Sequence, residues 1–287
     1  MKPKAVSVIM PVYNAGIHLE ECLNSFMRQT FDDWELLCVD RGSTDGSRQI
    51  LETYARQSST IRVIYAGNER TSQFNIGVEC SNSEFIYYTA ADFRVDENLL
   101  EDAVRLIRAD GSDGAWINCI SEGSHFWARV RDFERSTYIG SQTFEGVRFF
   151  RRDSYLKAGG FRDDIPIFEE YDLQDRMLRQ GAKFSRVYTA AEHHLDEPTS
   201  LSDIWRRSLY IGSQYPTYLR EHGADALKYA NPIRSTFLKN PIRYFRQPSL
   251  TIGLIALIAT KYLAGGIGYL TSSFANFRSH RERYGGK

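Results

Sequence analysis

The residues best suited to chemistry in this chain sit directly after apolar runs. Pro11–Asn14 follows VSVIM, Asp40–Asp45 follows WELLCV, and Ala90–Asp92 follows FIYYT. A carboxylate at the end of a strand can hold a hard cation, accept a hydrogen bond or take up a proton. Glu169, Glu170 and Asp172 crowd one short stretch. Like-charge repulsion there either tunes one of them as a proton acceptor or leaves all three to complement the positive end of a helix. His193 and His194 come next, after another apolar run. No GxGxxG follows the first apolar run and no GxxxxGK occurs, which argues against NAD-linked and P-loop chemistry.

These residues need elements to hold them. Ala5–Met10 reads as a buried strand stopped by Pro11, and Trp34–Asp40, Ile61–Tyr65 and Glu84–Thr89 read as three more. Between them, residues 16–29 place Leu19, Cys22, Leu23 and Phe26 at helical spacing, and further helices are expected over 46–57 and 71–80. Later helices are expected near 97–108 and over 171–180, with a strand at Lys183–Thr189. Alternating strands and helices with short connections imply a parallel sheet covered on both faces, whose ligands sit at the carboxyl ends of the strands. All three polar turns lie at such ends.

Length and composition agree with an ordered enzyme-sized body. The chain has 287 residues, 42% hydrophobic and 13% aromatic, which excludes disorder, and shows no repeat of solenoid period. Cys22, Cys38, Cys80 and Cys119 show no CxxC spacing and read as reduced, mostly buried thiols. The opening MKPKAVSVIMPVYN is too short and too broken for a signal peptide, so the catalytic part is expected in the cytoplasm. The net charge of zero divides unevenly: residues 226–287 carry +9, so residues 1–225 carry −9. A basic tail of this kind suits an anionic surface.

Taken in order, the motifs resemble those of family 2 glycosyltransferases with the GT-A fold. Ser7–Asn14 (SVIMPVYN) is similar to that family's opening SVIIPVYN, and Val39–Gly46 (VDRGSTDG) to its VDDGSTDG. Gln29-Thr-Phe, Trp34-Glu-Leu, Asn75-Ile-Gly, Phe85–Asp92, Gly159-Gly-Phe161 and Phe168–Leu173 (FEEYDL, resembling FxEDxDL) follow in family order, with His194 behind. The likeness spans roughly residues 5–205. It implies an α/β fold: a GT-A, Rossmann-like, mostly parallel sheet with helices on both faces, in a catalytic domain over 1–225.

The resemblance also implies roles. The chain would move a sugar with inversion from a nucleotide-sugar donor, UDP-linked foremost and GDP-linked as the alternative, to a hydroxyl. Asp40, with Pro11, Tyr13 and Arg70, would line the nucleotide, although a surface arginine is the other reading of Arg70. Asp92 and His194 would hold a divalent Mg²⁺ or Mn²⁺ that neutralises the leaving diphosphate, unless Asp92 merely caps the next helix. Glu170 would be the general base, and Asp172, Trp127 and Arg148 are acceptor-side candidates. Trp127 belongs to a stretch, 116–152, whose aromatic and arginine side chains form either an acceptor wall or an ordinary core. Three departures stand out: Arg41 replaces an Asp that recognises uracil in relatives, Tyr88–Asp92 (YTAAD) replaces LDADD, and Glu170 replaces Asp. A guanidinium has donors only and cannot accept from a ring N–H.

The tail completes the reading. Residues 228–247 are basic and aromatic, and the apolar run 249–274 is long enough to span a bilayer but carries Lys261 at its centre and Gly265, Gly266 and Gly268 beyond. A central lysine costs on the order of 2.5–3.5 kcal/mol in a lone span. Two short half-helices lying in or dipping into the interface are therefore expected over 249–274, within a basic membrane-associating segment 226–287, or else a soluble, packed C-terminal helix pair such as one at an oligomer interface. The implied enzyme sits peripherally or monotopically on the cytoplasmic face of an anionic membrane. Its expected acceptor is a lipid-linked (polyprenyl) glycan or cell-surface precursor. No nucleic-acid partner is expected, and homo-oligomers are compatible with the sequence. A soluble or protein acceptor, or a catalytically degenerate scaffold of the same fold, are the alternatives.

Overall fold

The computed structural model describes residues 3–165, 167–231 and 234–284, the stretch 274–284 by its backbone alone. In chain order the first half contains β1 (Val6–Val12), α1 (Leu19–Met27), β2 (Trp34–Asp40), α2 (Ser47–Gln57), β3 (Ile61–Tyr65), α3 (Arg70–Glu79), β4 (Phe85–Tyr88), β5 (Phe93–Val95), α4 (Leu99–Asp110) and β6 (Gly114–Ser121). Then come α5 (Phe126–Tyr138), β7 (Phe149–Arg151), α6 (Arg152–Lys157), α7 (Glu169–Arg179), β8 (Phe184–His194), α8 (Leu201–His222), α9 (Leu227–Ala230), α10 (Ile242–Arg246) and α11 (Pro248–Tyr284). The chain forms two compact units, Met1–Ile120 with Glu145–Asp196, and Ser121–Phe144 with Glu197–Lys287.

The first unit is built on an eight-stranded sheet in the order β3-β2-β1-β4-β7-β6-β8-β5. Strands β3, β2, β1 and β4 are parallel, whereas β4–β7, β7–β6 and β8–β5 pair antiparallel. The parallel half is the one the strand–helix alternation predicts. Its strands are buried on both faces: Val6, Val8, Met10, Leu36, Cys38, Phe85 and Tyr87 enter one core cluster, and the alternate Ile9, Leu37, Val39, Ile86 and Tyr88 enter the other. Helix α1 buries Leu19, Cys22, Leu23 and Phe26, the stripe read from the sequence.

Two boundaries differ from expectation and matter for the site. Strand β1 runs through Pro11, which pairs with Val39, and ends at Val12 opposite Asp40. The proline lacks only an N–H near the strand's end, too late to stop the ladder. Strand β8 continues to His194, so both histidines are in the strand rather than after it, with Phe93 opposite His194 and Arg94 opposite His193. The cysteines are free, but Cys80 is exposed.

The second unit is helical. Its core joins Val130 and Phe133 of α5, Ile204 of α8, and Leu250, Leu254 and Leu257 of α11. Instead of two half-helices, the tail is one continuous helix from Pro248 to Tyr284. Of the features expected to interrupt it, Lys261, Gly265 and Gly268 make packing contacts, while a Cβ on Gly266 would meet nothing. A Cβ built on Gly212 of α8 would collide with the Gly265 carbonyl, and one on Gly268 with the Leu209 carbonyl, so only glycine permits this helix approach. Lys261 Nζ lies 2.7 and 2.9 Å from the two Glu134 carboxylate oxygens, which compensate its charge. Of the basic tail, Arg278, Arg281 and Arg283 are described by their backbone alone, and Lys287 lies outside the described residues.

Candidate active site

The loops after β1 and β2 are tied to each other by side chains. Asn14, held at a positive φ of 50°, accepts the Thr44 N–H (2.9 Å), and its own N–H donates to Ser43 Oγ (2.9 Å). Gly16 N–H donates to Asp45 and Ala15 N–H to Ser47, both at 2.9 Å. Beneath them Gln73 of α3 donates to the carbonyls of Val12 (2.9 Å) and Val39 (2.5 Å), fixing the ends of both strands. The VDRGSTDG turn is thus a rigid platform at the carboxyl edge of the sheet.

Asp40, expected at the nucleotide, is 1% exposed and serves the turn instead. Its carboxylate accepts the Ser43 hydroxyl (2.5 Å) and the Ser43 and Gly42 N–H groups (3.2–3.3 Å), so little acceptor capacity remains for a base. Tyr13 is 50% exposed, with the Arg41 guanidinium 4.0 Å above its ring. Arg41 Nη1 donates to the Asn68 carbonyl (2.5 Å) and sits 3.5 Å from Glu69. Pro11 is buried inside β1. Of the four nucleotide-side residues, Tyr13 and Arg70 present accessible surface; Arg70, 46% exposed, is anchored by an ion pair to Glu169.

Asp92 and His194 do meet. The β5–β8 pairing extends one residue further, where Leu195 N–H donates to the Asp92 carbonyl (2.9 Å), and His194 Nε2 comes to 3.5 Å from Asp92 Oδ2. Asp92 Oδ1 is buried without a hydrogen-bond partner, an expensive state for a carboxylate oxygen unless something positive reaches it. Among the described residues no third His, Cys, Asp or Glu joins them. One carboxylate and one imidazole fit a hard divalent cation that takes its remaining ligands from phosphate oxygens and water. His193, the less favoured histidine, bonds Asp96 (3.0 Å) and helps pair β5 with β8.

The acids at the start of α7 separate into different environments. Glu169 is buried, accepts the Tyr88 hydroxyl (3.2 Å) and pairs with Arg70; burial pushes its carboxyl up while Arg70 opposes the rise. Glu170 faces Arg148, with Nη2 3.1 Å from Oε1. The other guanidinium nitrogen of Arg148 is 3.2 Å from Glu192, which is 1% exposed and accepts the Tyr87 hydroxyl (2.9 Å). Gly146 lies against the Glu170 carboxylate, and a Cβ there would collide with it. The Arg148 guanidinium also covers the Phe93 ring at 4.6 Å, and the His194 ring meets Phe93 edge-on at 4.9 Å. Glu170, Arg148, Phe93, His194 and Asp92 therefore form one contiguous set.

Two of the acceptor-side candidates are held by structural partners. Asp172 is buried and committed to Arg176 (2.6 and 2.9 Å), which caps the Ala158 and Gly160 carbonyls; it is a scaffold acid of the Gly159-Gly-Phe161 turn. Trp127 belongs to the second unit, where it meets Phe126 edge-on (5.1 Å) and packs on the Val130–Leu257 core. Trp116 and Phe133 are likewise core residues. Glu192, Tyr87 and Gln73 escaped the sequence reading. An isolated acid or amide inside an apolar element was the available signal.

The fold and this site define an α/β protein of the GT-A class. The sequence model of glycosyl transferase family 2 matches residues 7–165, more than half of the chain, and the protein belongs to that family. It is 33% identical over 231 residues to the putative glycosyltransferase EpsH of Bacillus subtilis, covering 73% of this chain and 66% of that protein. It is 31% identical over 130 residues to the glycosyltransferase GlyG of Streptococcus pneumoniae, covering 44% of this chain and 43% of GlyG. The chain thus spans less than two thirds of either relative. Among solved structures it resembles the mannosyltransferase PcManGT of Pyrobaculum calidifontis, in complex with GDP-Man and Mn²⁺ (TM-score 0.60, 16% identity, 96% of this chain and 76% of that one). It also resembles S. aureus TarS 1–349 in complex with UDP (TM-score 0.52, 16% identity, 91% and 90% covered). At these identities the likeness is one of fold.

Proposed function

We propose that this protein transfers a sugar, with inversion, from a nucleotide-sugar donor to a hydroxyl of a lipid-linked glycan acceptor at the cytoplasmic face of a membrane. The observation that carries the catalytic reading is the contiguity of Glu170 and Arg148 with Asp92 and His194 through Phe93. A proton acceptor and a cation site must flank the same anomeric carbon, and this set supplies both. Two structural neighbours were solved in complex with GDP-Man and with UDP, which supports a nucleoside diphosphate sugar here.

Asp92 and His194 would hold Mg²⁺ or Mn²⁺, which when bound neutralises charge on the leaving diphosphate. Glu170 takes the acceptor hydroxyl's proton as that oxygen bonds to the anomeric carbon and the nucleoside diphosphate departs from the opposite side. Arg148 pairs with Oε1 of Glu170, and Oε2, which lies against Gly146, is the oxygen that Arg148 does not engage. Tyr13 and Arg70 flank the nucleotide, Tyr13 by its ring and Arg70 by a half-exposed guanidinium.

The membrane reading rests on α11, whose Pro248–Ser273 segment is long and apolar enough to cross a bilayer by length and composition. The Lys261–Glu134 pair ties the middle of that helix to α5, which favours a helix lying along the membrane over one crossing it. The test is Glu170→Gln, assayed for transfer and for donor binding. Transfer should fall by about 10²–10⁴ with donor affinity kept, the usual contribution of a general base. Unchanged transfer would remove Glu170 as base, and a wild-type protein without nucleotide-sugar turnover would support the scaffold reading.

A further inference from the structure

Within the second unit, α5 and α11 share a charge cluster in which cations outnumber acids. Glu134, 2% exposed, takes both Lys261 and Arg131. Glu197, also buried, is shared by Arg131 (3.4 Å) and Arg135 (3.1 Å). Arg234 adds its field to Glu134 and lies over the rings of Phe144 (4.5 Å) and Tyr138 (5.4 Å), but has no carboxylate partner among the described residues. Of these four cations, Arg234 is thus the one without a carboxylate among the described residues. The surplus is felt by Lys261, whose ammonium is brought down to about 7 by burial and by Arg131 and Arg234, against the pull of Glu134.

We infer that this cluster binds a phosphate or diphosphate group. Partly buried like charges repel unless an anion joins them, and a phosphate would give Arg234 the anionic partner it lacks among the described residues. Guanidinium forks match phosphate oxygens in two-pronged geometry, as they do carboxylates. Lys261 spends two of its three protons on Glu134, leaving one, and its side chain is 28% exposed, so the site is open to solvent. The same helix carries Ile252, Ile255, Leu263, Ile267 and Leu270 as exposed apolar side chains. At 100° per residue these fall on one stripe of the helix. A phosphate-bearing lipid satisfies both features, and this choice of source rests on the membrane reading above, whereas the anion site does not.

The test uses the full chain with excess EDTA and inorganic pyrophosphate as probe in titration calorimetry. Saturable binding is expected. Arg234→Gln should weaken it at least about tenfold, the loss of one charge-assisted contact, and Arg234→Lys should recover part. Asp92→Ala should leave it intact, and nucleotide-sugar hydrolysis should be unchanged in Arg234→Gln, so the site and the proposed activity fail on separate readouts. Phosphatidylcholine vesicles with and without phosphatidate distinguish the sources. Pyrophosphate-sensitive binding to the phosphatidate vesicles assigns a lipid headgroup, and pyrophosphate binding without vesicle binding assigns a free anion; either upholds the site. No saturable pyrophosphate binding, binding that Arg234→Gln leaves unaltered, or binding lost in Asp92→Ala overturns it.

Discussion

Replacing Glu134 by Gln keeps the shape of the side chain and removes the one negative charge that Lys261 and Arg131 share. Its side chain is 3% exposed, so water reaches the pair only from the Lys261 side, which is 28% exposed. Removing one partner of a buried ion pair costs about 3–5 kcal/mol, because the other charge is stranded. The carboxyl gives a similar figure. Burial alone would raise it, but Lys261 and Arg131 hold it at about 2, below the ordinary 4.5. At about 1.4 kcal/mol per pKa unit this is roughly 3 kcal/mol of stabilisation. Urea and thermal unfolding read the effect: the variant should lose about 3 kcal/mol, or on the order of 10 °C in melting temperature. Glu134→Gln combined with Lys261→Met should be more stable than Glu134→Gln alone, since the stranded lysine is gone. A Glu134→Gln protein within about 0.5 kcal/mol of wild type, a typical surface value, would refute the docking of α11 on α5 through this pair.

Acid should act through the same carboxylate. A depressed folded pKa stabilises fully above about 4.5 and is lost as pH falls toward 2, so unfolding followed between pH 5 and 2 should show a fall that Glu134→Gln lacks. Glu192→Gln, which leaves Tyr87 bonded but weakens the mount of Arg148, should lower the transfer rate about tenfold or more with donor KM unchanged, as steady-state kinetics would show. Asn75→Ala removes the amide that bonds both the N–H (3.1 Å) and carbonyl (2.8 Å) of Phe161 and should destabilise the Gly-Gly-Phe turn by about 1–3 kcal/mol in urea unfolding. Flotation with anionic liposomes should recover the protein in a salt-sensitive way, and protease added outside should still cleave beyond Ser273.

The parallel half of the sheet was legible because its strands are continuous apolar runs separated by helical stripes, and the boundaries of α2 and β3 fall within a residue of expectation. The antiparallel half was not, since β5 and β7 are three residues each and carry no periodicity of their own. The meeting of Asp92 and His194 follows from β5 pairing with β8 across about a hundred residues, which no local pattern encodes. The turn bonds of Asp40 were hidden for a related reason. The strand-end position was right, but its own turn supplies three donors within the next three residues, and a short side chain takes the nearest ones. Lys261 looked like an interruption because its partner Glu134 lies far back in the sequence. Glycine spacing gave the same false break where it permits close helix packing.

The central claim is that Asp92 and Glu170 act on opposite sides of one sugar transfer. The most direct measurement is turnover of UDP- and GDP-sugars with and without Mn²⁺ by wild type, Asp92→Ala and Glu170→Gln, alongside donor binding. The account predicts metal-dependent turnover in wild type, its loss in Asp92→Ala with the fold retained, and loss of transfer but not donor binding in Glu170→Gln. Wild-type turnover by Asp92→Ala, or transfer by Glu170→Gln at the wild-type rate, would contradict it.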